Sequence, residues 1–159
     1  MQRLLLVLIL PLSFLYAASC EAQTYGNEWI DYSQKYYSIK VANDGIYRID
    51  YATLASAGIP VTSISSENIK IFGKENEIPL HIIDGGDSSF DAGDYLLFYG
   101  ERNTGWLDST LYLDPTGMAA PNYSLYNDTL QYFLTWNGST SNYRYSVESD
   151  IDFSSYTPV

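Results

Sequence analysis

The chain has 159 residues and is acidic, with 8 Lys+Arg against 19 Asp+Glu, a formal net charge of −11, one His and one Cys. That balance excludes a nucleic-acid binder working through a basic stripe. A single cysteine excludes a zinc centre of four cysteines or of two cysteines and two histidines, and any internal disulfide framework.

Residues 1–22 read as a signal peptide: Arg3 gives a positive start, residues 4–15 an apolar run, and Ala17-Ala18-Ser19-Cys20-Glu21-Ala22 a small-residue exit. The run is shorter than the roughly 20 residues of a membrane-spanning helix and no second run follows, so no transmembrane helix is expected in the mature chain. Two processing routes stay open. Cleavage after Ala22 removes the only cysteine, whereas Ala17-Ala18-Ser19-Cys20 is an imperfect lipobox that would make Cys20 a lipidation site. Either route places the protein in the periplasm, at the outer membrane or on the cell surface.

Residues 23–150 suit one domain, with 151–159 as the start of a linker or next domain in a chain that reads as truncated. Residues 23–159 hold fifteen tyrosines, a density that suits sheets, where each ring covers a pleated surface while its hydroxyl stays wet. Tyr37, Ile39 and Val41 alternate with polar residues, Asn43-Asp44-Gly45 offers a tight turn, and Tyr47, Ile49 and Tyr51 alternate again. This pattern predicts a β-hairpin. Asp50 is then placed to cap a short helix over residues 51–57, which Gly58 and Pro60 stop.

A second hairpin is predicted from residues 69–72 and 78–83, joined by Gly73-Lys74-Glu75-Asn76-Glu77. Pro79 lacks an amide hydrogen, which confines its strand to an edge. Tyr95-Leu96-Leu97-Phe98-Tyr99 is apolar on both faces and reads as a central strand, and residues 131–136 share that character. Residues 143–147 are a weaker strand, and residues 108–128 form a long connection. The fold class expected is mainly β, a sandwich-like antiparallel domain with one short helix.

Catalytic options are few. His81 is the only histidine and so the only imidazole available as a general base, and with Cys20 cleaved away no Cys-His dyad is possible. No Gly-x-Ser-x-Gly elbow supports a Ser-His-Asp triad, and His81 reads as a strand-surface residue. Asp84, Asp87, Asp91 and Asp94 lie within an eleven-residue run rich in glycine and serine. Such a run supplies the hard oxygens calcium takes, although its spacing departs from the EF-hand loop and an ordinary long turn explains it as well.

Blocks in fixed order carry a family resemblance. Tyr25-Gly26-Asn27-Glu28-Trp29-Ile30, Asp44-Gly45-Ile46-Tyr47-Arg48-Ile49 and Leu54-Ala55-Ser56-Ala57-Gly58-Ile59 are followed by residues 93–101, Gly105-Trp106-Leu107-Asp108 and Tyr132-Phe133-Leu134-Thr135-Trp136. Together they resemble the N-terminal region of the type IX secretion system sortases of Bacteroidota, the PorU-type gingipain-like cysteine peptidases. The resemblance implies a non-catalytic β domain preceding a caspase-like peptidase domain that removes C-terminal sorting signals from cargo, with secretion cargo and other type IX components as partners. The chain ends before that domain, so neither its catalytic His nor its Cys is carried over. Asp108-Ser109-Thr110 and Asp128-Thr129-Leu130 also resemble the O-glycosylation signal of exported proteins in these bacteria, with Ser109 and Thr129 as acceptors. The alternatives are a stand-alone carbohydrate-binding or adhesive β-sandwich using exposed aromatic rings, and a calcium-stabilised structural module.

Overall fold

The computed structural model describes residues 26–120, 122–149 and 152. The expected signal peptide with Cys20 lies outside the described residues, as does most of the expected 151–159 segment. The chain divides into two units, residues 1–30 and 31–159. In the first, the Ile30 amide closes a turn onto the Asn27 carbonyl at 3.0 Å.

Seven strands and one α-helix are seen among the described residues of the second unit. In chain order they are β1 (Tyr37–Val41), β2 (Gly45–Asp50), α1 (Tyr51–Ser56), β3 (Ile69–Gly73), β4 (Asn76–Ile78), β5 (His81–Ile83), β6 (Tyr95–Gly100) and β7 (Leu130–Trp136). They form two antiparallel sheets, one ordered β1-β7-β3-β4 and the other β2-β6-β5. The expected mainly β class with one short helix is what the structure has. Both strands read as central are central, β6 in the three-stranded sheet and β7 in the four-stranded one.

The first predicted hairpin is corrected. β1 pairs with β7 and β2 with β6, so the chain changes sheets at Asn43-Asp44-Gly45 instead of folding back. A two-residue type I′ hairpin needs positive φ at both central positions, and Asp44 does not adopt it. Its carboxylate instead accepts the Arg102 amide at 2.7 Å, tying the sheet-to-sheet passage to the end of β6. Alternation told correctly which side chains point inward, since Val41 and Ile49 are both buried.

The second hairpin exists but is tighter and shorter than expected. Lys74 and Glu75 take φ of 48° and 67°, turning β3 directly into β4, and the strand expected over residues 78–83 is broken in two. β4 stays beside β3, while β5 joins the other sheet against β6. Pro79 stands at the break, where its missing amide costs no ladder bond, and both pieces are edge strands. Residues 143–147 form no strand; only Arg144 bridges to Leu80.

α1 ends as expected. Gly58 adopts φ of 78°, its amide bonds the Ala55 carbonyl, and the Ile59 amide reaches back to the Leu54 carbonyl at 3.1 Å, with Ile59 and Leu54 both buried. Its start differs, because Asp50 makes no side-chain cap and pairs with Arg48 Nε at 2.7 Å. One apolar cluster takes Val41, Ile71, Tyr132 and Leu134 from the first sheet and Ile49, Leu96 and Phe98 from the second. Each such fully buried side chain contributes about 1.5–3 kcal/mol relative to exposure, which is what holds a six-residue helix docked.

Candidate functional site

The outer face of the three-stranded sheet carries apolar side chains where a solvated sheet usually carries polar ones. Register places Ile46 opposite Tyr99, and Leu97 between Arg48 and His81. Ile46, His81, Leu97 and Tyr99, with Phe98 and Tyr145, line a groove of about 400 Å³. Ile46 is 75% exposed, and Tyr99 and Tyr145 are 48% and 44% exposed. Beside it the Arg48 guanidinium lies 3.8 Å from the centroid of the Tyr95 ring, a cation–π contact that keeps both side chains flat on the sheet. Apart from His81 and the phenol oxygens, the groove offers hydrocarbon, so it suits an apolar protein surface better than a polar small molecule.

A second cavity, of about 240 Å³, adjoins His81 and includes Ser66, Asp84 and Arg144. Serine, histidine and aspartate meet here without forming a triad. The buried Ser66 hydroxyl donates to Asp84 and not to His81, so the histidine is not placed to activate the serine. That hydroxyl, aided by the Gly86 amide and opposed by partial burial, holds the Asp84 carboxyl below its usual range. Arg144 directs its guanidinium at backbone carbonyls of Glu67 and Ile69, both at 2.8 Å, and burial lowers its pKa. The arrangement fastens loops and presents no nucleophile.

The four carboxylates expected to hold calcium are not brought together. Asp84 accepts Ser66 and Gly86, Asp87 accepts the Ser89 amide at 2.8 Å, and Asp94 accepts the Asp91 amide at 2.6 Å while its carbonyl takes the Tyr51 amide. Asp91 contributes its backbone to that last turn and is exposed. Among the described residues no three His, Cys, Asp or Glu side chains are gathered as a metal requires. The run forms local turns, the other reading the sequence allows, with the Asp84, Asp87 and Asp94 carboxylates each accepting a nearby backbone amide.

Ser109 and Thr129 both lie on the β6–β7 connection and are half-buried. The Ser109 hydroxyl donates to the Trp106 carbonyl at 3.2 Å, and Thr129 donates to Asp128 at 3.1 Å. Nearby, Asp108 accepts the buried Ser124 hydroxyl at 2.8 Å. Gly105 fits beside that bond at φ of 76°; a Cβ there would stand 3.1 Å from the Asp108 carboxylate and 3.2 Å from the Ser124 backbone.

No family model, curated protein or solved structure matches the chain. Among the described residues no helix is long and apolar enough to cross a membrane. Sequence reasoning passed over the groove. Its signal was in residues 95–99, apolar on both faces, and in Ile46 at an outward position of β2.

Proposed function

We propose that residues 31–149 form a non-catalytic accessory domain of a cell-surface peptidase of the type IX secretion sortase kind, sandwich-like in architecture, with the groove on the β2-β6-β5 sheet docking the peptidase portion of the same longer protein. One observation carries the reading. Two of the blocks that carry the resemblance, residues 44–49 and 93–101, cover most of β2 and β6, which pair from Gly45↔Gly100 to Asp50↔Tyr95 and supply Ile46, Leu97 and Tyr99 to the groove. These two blocks build one surface, and exposed apolar surfaces mark sites of protein interaction. The sandwich reading is supported by the rings of Phe98 and Tyr132, one from each sheet, with centroids 5.5 Å apart.

Reading the genomic DNA past the Val159 codon tests this proposal. A downstream frame encoding a His- and Cys-bearing peptidase domain is the expected result, and its absence in all frames overturns the reading. The alternative of a stand-alone carbohydrate-binding module is favoured by the exposed rings of Tyr99 and Tyr145 at the groove. Glycan-array binding that disappears on Tyr99→Ala would establish it, and silence across the array would dismiss it.

A further inference from the structure

The β6–β7 connection, residues 101–129, concentrates exposed apolar side chains: Leu107, Leu111, Leu113, Tyr123, Leu125 and Tyr126, with Leu113 wholly exposed and Tyr126 at 79%. Connections longer than about 12–15 residues in a compact domain usually serve a function. This one is fastened at its base. The Asn103 amide bonds the Asp128 carbonyl at 2.9 Å, the Asn103 side chain bonds the Asn127 carbonyl at 2.8 Å, Ser124 bonds Asp108, and Trp106 packs against the core. Closing the loop in the free protein removes part of the ordering cost that binding would otherwise carry.

Its charge identifies the partner. Residues 103–129 hold Asp108, Asp114 and Asp128 and neither Lys nor Arg, in a chain of net charge −11. Asp114 follows the fully exposed Leu113, and the Thr116 hydroxyl and amide, at 2.7 and 2.9 Å, hold its carboxyl below the usual range and so keep it anionic. The cation at the foot of the loop, Arg102, lies 5.4 Å from the Tyr123 ring centroid. Segments that rest on anionic lipid carry Lys and Arg, which this loop lacks. We propose that the β6–β7 loop is a protein-docking element whose partner presents an apolar pocket edged by Lys and Arg. The loop does not line the sheet groove, and the proposal stands whether or not a peptidase domain follows.

Fluorescence anisotropy on the full exported chain tests it, with labelled peptides of alternating Leu and Lys or alternating Leu and Glu as probes, and vesicles of phosphatidylcholine or phosphatidylglycerol as separate arms. The Leu-Lys peptide should bind at least about tenfold more tightly than the Leu-Glu peptide, and more weakly as salt rises. The variant Leu113→Ser/Leu125→Ser/Tyr126→Ser, which changes no charge, should weaken that binding by about tenfold with its melting temperature unchanged. Asp114→Asn, which keeps the acceptor for Thr116, should weaken it about two- to threefold and flatten the salt dependence. Failure of the Leu-Lys peptide to bind, equal binding by the triple variant, or binding to vesicles in place of peptide would each overturn the proposal.

Discussion

The phenol of Tyr132, on β7, reaches the end of β6 in the other sheet: its oxygen accepts the Glu101 amide at 2.8 Å, and its hydroxyl points back to the Glu101 carbonyl at 3.4 Å. Glu101 in turn pairs with Lys74 at the β3–β4 turn. Because Asp44 holds the neighbouring Arg102 amide, the backbone leaving β6 is fixed by two side chains just where the long loop begins. The start of that loop is therefore tied to the core through the buried Tyr132, in addition to the packing of Trp106.

Tyr132→Phe removes this tie while keeping the ring. With the Glu101 amide left without its acceptor, the expected loss is about 1–2 kcal/mol, read as a lower urea midpoint at unchanged m-value. Burial, reinforced by the negative charges of Glu101 and Asp44, raises the Tyr132 pKa above the ordinary 10.0. Folding then favours the protonated phenol: above the unfolded pKa the unfolded chain releases this proton first, so stability is lost as pH rises through the alkaline range. Melting curves between about pH 9 and 11 should fall more steeply for the parent chain than for Tyr132→Phe. Parallel curves would show that this phenol contributes nothing to the alkaline limb.

Gly73 lies against the same ring. A Cβ there would sit 2.3 Å from Tyr132 Cε1 and 2.6 Å from Cδ1, deep inside van der Waals contact, although the Gly73 backbone itself is not left-handed. Gly73→Ala should cost about 1–3 kcal/mol through overpacking. Gly100→Ala, whose nearest contact is Tyr47 Cδ2 at 2.9 Å, should cost less. Chemical denaturation of the two variants side by side checks the ranking, and a milder effect at Gly73 would contradict the packing described.

The residues that made the fold legible in advance were those whose local chemistry has one outcome. Gly58 after a short apolar-periodic run gave the helix end, Pro79 gave an edge, and the two-faced apolar runs of β6 and β7 gave the central strands. Partner choice was not legible between Tyr37 and Asp50, because period-two alternation says which face a side chain takes and not which strand lies beside it. Asp44-Gly45 looked like a hairpin turn, yet its carboxylate served a backbone amide fifty-eight residues away. The acidic run left two readings open for a related reason: carboxylate spacing is equally compatible with one shared cation and with several separate turns. The groove depends on what leaves Leu97 and Tyr99 uncovered, which is a tertiary fact.

Ser66 and Asp84 make the acid side of stability testable. Bonding to the Ser66 hydroxyl, the largest effect, favours the ionised Asp84; burial opposes it, and the Gly86 amide adds a lesser contribution in favour. A depressed folded pKa contributes stability above the unfolded value near 3.8, and that contribution fades as pH falls through the folded pKa. Asp84→Asn should therefore lower the melting temperature at neutral pH and converge with the parent chain in acid. Ser66→Ala should cost about 1 kcal/mol at neutral pH, and its penalty too should shrink on acidification. A penalty independent of pH would indicate that Ser66 contributes through packing alone.

Arg144 offers the sharpest discrimination between charge and shape. Its guanidinium reaches the carbonyls of Glu67 and Ile69 at 2.8 Å, and that of Ser66 at 3.4 Å, while on its own segment Leu80 exchanges backbone bonds with Tyr143 and Tyr145 at 3.2 and 3.0 Å. Residues 143–145 are thus held to the fold by the bridge to Leu80, by the Arg144 side chain and by the Glu77 carboxylate, which accepts the Tyr143 amide at 2.6 Å. Arg144→Ala takes its donors from the Ser66 and Ile69 carbonyls, leaves the Glu67 carbonyl to the Asn142 side-chain amide, and should cost about 1–3 kcal/mol. Arg144→Lys keeps the charge but lacks the planar fork that serves diverging acceptors together, so it should recover less than half of the loss. The same variants should gain protease sensitivity after residue 142, as the bridge to Leu80 and the Glu77 contact then hold the segment without the guanidinium. Full rescue by lysine would mean that a positive charge near Glu67 and Glu77 suffices, and the geometric role assigned to the guanidinium would fall.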